Sequence, residues 1–279
     1  MGAVRDILTS DAAILARIYR SELPGQMVLH EIRRVVGRTE NARCLEIGSD
    51  SGMFIHHLRL GGGEWLSLAS DAEAMARVGV FIADGLGVLG KDGFPYDDKE
   101  FDFLVVTNVL ECVEDDVAFV QECHRVLKPN GRLVLCARHA KRRTPIGLLR
   151  RWLGVDGAGI GRARDGYGEK ALFELLKNGY DVVALRSFSR FLVELVDAFV
   201  QARLRRLRRV GDPGRRGESR LYATAGPLYR IAFQLDALFF LTRGHRWVAV
   251  GKRRMWRERQ TPILSDGRPI SEAVLSKLK

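Results

Sequence analysis

The sequence predicts an α/β fold, a doubly wound and mostly parallel sheet covered by helices, and three observations predict it. Cys44–Gly52, read as CLEIGSDSG, turns a short apolar run through glycines into an apolar helix. About 20 residues further on, Trp65–Ala69 reads as a second strand that stops at Asp71. Phe94–Ala137 then runs strand, helix, strand at the spacing of a right-handed crossover between parallel strands.

Met1–Asn41 is expected to form amphipathic helices that cap the sheet edge or a cofactor. Arg43–Ile47 has the aliphatic content of a buried strand, and Met53–Leu60 is the helix that follows its glycines. Such a turn offers backbone N–H groups to a ligand at close range, because glycine has no Cβ in the way. It also serves packing alone, so the glycines by themselves do not prove a site. Asp50 occupies the middle of the turn, where glycine is usual. A carboxylate there repels phosphate, which argues against NAD or ATP and for a cofactor without phosphates. Asp71, at the end of the next strand, is placed to accept hydrogen bonds from ribose hydroxyls. The pair predicts a nucleoside-containing cofactor.

The second block reads FPYDDKEFDFLVVTNVLECVEDDVAFVQECHRVLKPNGRLVLCA. Its parts are a turn at Asp97–Lys99, a strand at Phe101–Thr107, a helix over about Asp115–Leu127 and a strand at Arg132–Ala137. Pro129 stops the helix, and Asn130-Gly131 is expected to supply the positive φ of a tight turn.

These residues resemble the class I S-adenosylmethionine-dependent methyltransferases, in the broad group that includes the ubiquinone and menaquinone methyltransferases. Pro95, Tyr96, Asp97, Phe101, Asp102, Leu110 and Glu111 match the family's fourth-strand pattern. Arg125–Gly131 matches its fifth-strand pattern, with Asn130 in place of one glycine. The match spans Arg43–Ala137, with a looser echo through Gly168–Val183. The resemblance implies a Rossmann-like sheet of seven strands, S-adenosylmethionine as cofactor and S-adenosylhomocysteine as product. By the same resemblance, Glu46, Gly48, Asp50 and Gly52 face the methionine part of the cofactor. Asp71 holds the ribose. Asp92 and Gly93 lie beside adenine, although the family's acidic residue falls at the position of Gly90. Thr107 and Asn108 line the floor near the sulfonium. Asp84 is a rival to Asp92 that reads better as the end of the preceding helix. The motifs are specific for fold and cofactor and silent on the acceptor.

The implied activity is methyl transfer to an oxygen, nitrogen or carbon of a small-molecule or lipid-like acceptor, driven mainly by in-line positioning. A base is needed only where a hydroxyl must lose its proton. His139, just past the fifth strand, is the candidate, against the plainer reading of an exposed loop histidine. Tyr167, in the glycine-rich loop Gly157–Gly168, is the residue expected to close over the site. His56 and His57 read as structural.

The chain has 279 residues and a formal charge of +11. Its opening, MGAVRDILTSDAA, lacks the apolar core of a signal peptide, and Gly2 lacks a myristoylation context. The four cysteines, Cys44, Cys112, Cys123 and Cys136, have no metal spacing and read as buried thiols. Cys112 as a nucleophile lacks the preceding proline of the RNA methyltransferases that use one. The expected location is the cytoplasm, at or near the inner membrane surface.

Charge concentrates in Arg203–Arg220, RLRRLRRVGDPGRRGESR. Before it, Phe188, Phe191, Leu192, Leu195, Val196, Phe199 and Val200 recur at helical steps on what reads as one apolar face. Leu228–Leu241 follows as a second apolar stretch, and Glu194, Asp197, Arg230 and Asp236 exclude a membrane span in either. With Asp181–Leu185 as the sixth strand and Trp247–Val250 as the seventh, about sixty residues separate two strands that a short hairpin ordinarily joins. The expected organisation is therefore a helical cap (1–41), a cofactor-binding core (42–185), a helical arginine-rich insertion (186–245), the last strand (246–257) and a polar tail (258–279).

The insertion has three readings. It is a lid resting on an anionic bilayer, a packing element whose arginines are simply solvated, or an RNA-binding surface. Base-modifying enzymes often carry an Asn-Pro-Pro-aromatic signature after the fourth strand, and the apolar Thr107-Asn108-Val109-Leu110 here lowers the RNA reading. A non-catalytic cofactor-binding or membrane-associated scaffold is the alternative from another class.

Overall fold

A computed structural model describes residues 2–49, 51–82, 84–90, 93–140, 144–155, 163–210, 214–239 and 244–257, with side chains from residue 12 onward except at 210 and 239. Asp50, Asp92, residues 141–143 and the tail 258–279 lie outside the described residues.

Seven strands form one sheet: β1 (Arg43–Ile47), β2 (Glu64–Ala69), β3 (Leu86–Val88), β4 (Phe101–Thr107), β5 (Leu127–Arg138), β6 (Tyr180–Phe188) and β7 (Arg246–Arg253). Their order is β3-β2-β1-β4-β5-β7-β6. The pairs from β3 to β5 are parallel, and β7 runs antiparallel between β5 and β6. Strand order reverses between β1 and β4, so a crevice opens at their carboxyl ends. This is the Rossmann-like, doubly wound sheet expected, mostly parallel with an antiparallel final strand.

Alternation along the strands builds two cores. Leu104, Val106, Leu133 and Leu135 enter the face covered by α5 (Asp116–Val126) and α7 (Glu169–Leu176). Val105, Val134 and Cys136 enter the opposite face, against Ile32 of α2 (Leu23–Val36) and Ile55 of α3 (Gly52–Arg59). Helix α2 thus lies over a sheet face rather than an edge, while α1 (Gly2–Ser21) packs on other helices, α2 and α3 among them.

The fifth strand begins earlier than expected. Leu127 already pairs with Phe101, and the Pro-Asn-Gly segment is an irregularity within β5. Asn130 alone takes the positive φ, 64°. Gly131 is required for a different reason: a Cβ there would lie 2.8 Å from the Lys128 carbonyl oxygen.

Between β6 and β7 stand α8 (Phe191–Val210), α9 (Gly214–Leu235) and a 3-10 turn (Asp236–Phe239). The two helices pack through a core of their own, Val193, Val200 and Leu204 against Tyr222, Ala225 and Tyr229. The apolar face expected on α8 is corrected. Phe188 belongs to β6, Phe199 is 52% exposed, and the buried positions are Val193, Glu194, Asp197, Ala198, Val200 and Leu204. The helix turns two carboxylates inward because α6 (Pro145–Trp152) presents Arg150 to them. Its Nη2 lies 2.8 Å from Glu194 and 2.6 Å from Asp197. Ser189 donates to the Glu194 carboxylate, and Arg246 reaches it at 3.4 Å. No helix among the described residues is long and apolar enough to cross a membrane.

Candidate functional site

The glycine turn after β1 is built by close approach. Gly48 takes φ 92°, and a Cβ on it would collide with the Val109 side chain and the Thr107 carbonyl. The turn therefore closes down on the end of β4. Glu46 braces it from below: its Oε1 accepts the Ser49 N–H at 2.8 Å and the Thr107 hydroxyl at 3.4 Å. The Glu46 side chain is fully buried and does not line the cavity above. Ser51 Oγ accepts the Phe54 N–H and caps α3, while Gly52 lets α3 pack against Val78 and Phe81.

Asp71 ends the second strand and caps α4 (Ala72–Val78). Its Oδ1 accepts the Ala74 N–H at 2.7 Å, and its Oδ2 accepts the Ser70 hydroxyl at 3.0 Å. Those two bonds, the backbone one foremost, hold its carboxyl below the ordinary range, so it is ionised. Each oxygen keeps a lone pair for a further donor. Thr107 is buried at the end of β4, and Asn108, exposed and at φ 58°, turns the chain there. Gly90 and Gly93 bridge to each other, with Gly93 at φ 111°. Asp84 sits in a bend before β3.

One cavity of about 1550 Å³ joins these residues. Gly48, Ser70, Asp71, Gly93, Thr107 and Asn108 line one end. Its other end lies beneath the insertion, against Arg150, Asp197, Gln201 and Arg205, with Tyr19 of α1 and Glu22, between α1 and α2, alongside. Cys112 lines it too and is exposed, not buried as expected; the other three cysteines are buried.

His139 and Tyr167, expected at the reacting end, are not in the cavity wall. His139 Nδ1 lies 2.9 Å from the Gly244 carbonyl oxygen, and its ring packs against Trp247. Tyr167 is 4% exposed; its hydroxyl contacts the Leu110 carbonyl and the Asp116 carboxylate and receives Arg164. Burial, then Asp116, pushes that hydroxyl well above its ordinary range. Both residues pin the ends of β5 and β7 together. Sequence reasoning gave no role to Glu111, a motif residue whose buried carboxylate accepts the Arg138 N–H, and it missed the α8 residues of the far wall. The arginine run was visible, but which arginines face the cavity was not.

Sheet order, glycine turn and acid at the end of β2 define the class I S-adenosylmethionine-dependent methyltransferase fold. Residues 45–135 match the model of a methyltransferase domain. It is 31% identical over 107 residues to an uncharacterized protein of Methanocaldococcus jannaschii, covering 38% of this chain and 49% of that one. The chain thus spans about half the length of the curated relative it matches. A putative sarcosine dimethylglycine methyltransferase from Galdieria sulphuraria has a similar structure, with TM-score 0.55, 16% identity, and 82% and 85% of the two chains covered. So does an S-adenosylmethionine-dependent methyltransferase from Mesorhizobium loti, with TM-score 0.53, 16% identity, and 80% and 96% covered.

The cofactor of this class is S-adenosylmethionine, and the residues present fit it. The crevice offers an ionised carboxylate for hydroxyls and a glycine turn without bulk. Carboxylates of Asp71, Glu114, Asp115 and Glu122 at this end of the wall suit a cationic sulfonium better than a phosphate.

Proposed function

We propose that the chain is a methyltransferase that transfers the methyl group of S-adenosylmethionine to a small-molecule or lipid-like acceptor, chiefly by positioning. The observation that carries this reading is the continuity of the cavity, from the crevice over β1, β2 and β4 to the space under α8. Bound in the crevice, S-adenosylmethionine supplies an activated methyl group on a sulfonium. Asp71 accepts from the ribose, Gly48 and Gly52 shape the seat of the methionine part, and Gly93 lies beside adenine. Thr107 and Asn108 form the floor, with Glu46 holding the turn. Asp50 and Asp92 keep the roles the family resemblance implies. Among the described residues no histidine lines the cavity, so alignment of the acceptor, rather than an imidazole base, carries the rate. Titration calorimetry with S-adenosylmethionine and with S-adenosylhomocysteine tests the reading. Micromolar binding of both supports it; a folded protein that binds neither sinks it. Binding without turnover across lipid, quinone and small-molecule acceptors favours the scaffold alternative.

A second reading concerns location. Leu228, Ile231, Leu235 and Leu238 are exposed at steps of three and four residues along α9 and the 3-10 turn, a ridge on a chain of net charge +11. Such a ridge suits the surface of an anionic bilayer. Flotation with vesicles containing phosphatidylglycerol, lost in Ile231→Asp/Leu235→Asp, supports it, and no flotation of the parent protein ends it.

A further inference from the structure

The arginines of α8 do not share one environment. Asp197, Gln201, Leu204, Arg205, Arg208 and Arg209 line the cavity, recurring at three- and four-residue steps. Arg203 and Arg206, equally exposed, do not line it. The cavity-facing stripe is also graded. At its inner end Asp197 is buried and held by Arg150. At its outer end Arg208 pairs with Glu218 at 2.6 Å. Arg205 and Arg209 have no carboxylate partner among the described residues.

Arg205 is also seated. Its guanidinium lies over Gly154, at the end of α6, where φ is 67° and a Cβ would collide with Nη1. Two unpaired guanidiniums one turn apart repel each other, and a shared anion relieves that repulsion. The carboxylates at the opposite end of the cavity are engaged locally. Asp115 caps α5 through the Ala118 N–H, and Glu122 is held by Arg125 and the Phe94 N–H.

We propose that Arg205 and Arg209, with Arg208 beside them, form the subsite that binds a phosphoryl group on the methyl acceptor, a deepening that rests on the methyltransferase reading. The guanidinium fork matches phosphoryl oxygens bidentately. Two guanidiniums one turn apart, Arg205 and Arg209, suit a group of up to two negative charges better than a single carboxylate. The acceptor then spans the cavity, its anionic end under α8 and its nucleophile at the crevice.

The test compares the full chain with Arg205→Gln/Arg209→Gln and with Arg203→Gln/Arg206→Gln, which removes the same charge from the same helix outside the cavity. Pyrophosphate at matched ionic strength probes a free phosphoryl group, and phosphatidylglycerol vesicles probe a lipid headgroup. Expected is a loss of at least about tenfold in affinity for one of the probes in the first variant, and a change within about twofold in the second. S-adenosylhomocysteine affinity stays unchanged in both. Vesicle binding alone, lost only in the first variant, assigns the phosphoryl group to a lipid. Equal losses in the two variants reduce the effect to net charge and overturn the subsite, as does failure of the parent protein to bind either probe. Anion binding that depends on Arg205 and Arg209 in a protein that does not bind S-adenosylhomocysteine sinks the methyltransferase reading and leaves the anion site standing.

Discussion

The guanidinium of Arg150, on α6, meets the carboxylate of Asp197, on α8, at 2.6 Å with both side chains buried. Glu194, one turn away, shares the same Nη2 at 2.8 Å. The insertion is thereby fixed in rotation about its own axis, and the α8 stripe that follows Asp197 is delivered to the cavity. Arg150→Met leaves two buried carboxylates facing one remaining cation, Arg246. Removing one partner from a buried ionic cluster costs about 3–5 kcal/mol. Chemical denaturation is expected to show a loss of that order, and a loss below about 1 kcal/mol would mean the cluster is not what orients α8.

Glu194 makes this joint sensitive to acid. Burial pushes its carboxyl up, but Arg246 and Arg150 outweigh burial and hold it down at about 2, against an ordinary 4.5. Since the folded value lies below the unfolded one, its contribution is complete above about 4.5 and is lost as pH falls toward 2. Denaturation midpoints measured across that window are expected to fall more steeply for the parent protein than for Glu194→Gln. Parallel slopes would remove Glu194 from the account.

Asp71 carries two duties that substitution can separate. Asp71→Ala removes both the carboxylate in the crevice and the cap of α4, at about 1 kcal/mol of stability for the cap. Asp71→Asn keeps a cap acceptor and loses only the charge. Both variants are expected to bind S-adenosylhomocysteine at least about tenfold more weakly, while only the alanine form melts earlier. Unchanged affinity in Asp71→Asn would move the ribose elsewhere.

His139 is expected to matter little to the chemistry, because its Nδ1 is engaged by the Gly244 carbonyl and its ring by Trp247. Turnover of His139→Gln should stay within about threefold of the parent, well short of the 10²–10⁴-fold typical of a lost general base. A hundredfold loss at unchanged melting temperature would return the imidazole to the acceptor.

The core was legible from local patterning. Strand alternation, the stop at Pro129 and the glycines after β1 depend on residues close in sequence, so backbone sterics and burial decide them one neighbourhood at a time. The same holds for the family motifs, which occupy consecutive stretches from Arg43 to Ala137. Even there, tertiary contact revised detail. Gly131 answers to the Lys128 carbonyl, and Asp71 caps a helix besides lining the crevice.

The insertion was legible only as two amphipathic helices. Hydrophobic periodicity put Phe199 inside and treated Glu194 and Asp197 as interruptions, yet Phe199 is exposed and the two carboxylates are buried. The partner that reverses the pattern, Arg150, lies 44 residues before Glu194 and 47 before Asp197. No window along the chain contains all three. The likeness of Arg203, Arg205, Arg206, Arg208 and Arg209 in sequence hid a division that rotation of α8 imposes, some toward the cavity and some away from it. His139 and Tyr167 stand outside the cavity wall for the same reason: what holds them, Gly244 and Trp247 for one and Leu110 and Asp116 for the other, is brought near only by the folded sheet. Neighbours in sequence thus settled the fold and the cofactor class, and the cavity wall under the insertion was settled by side chains that meet across long loops.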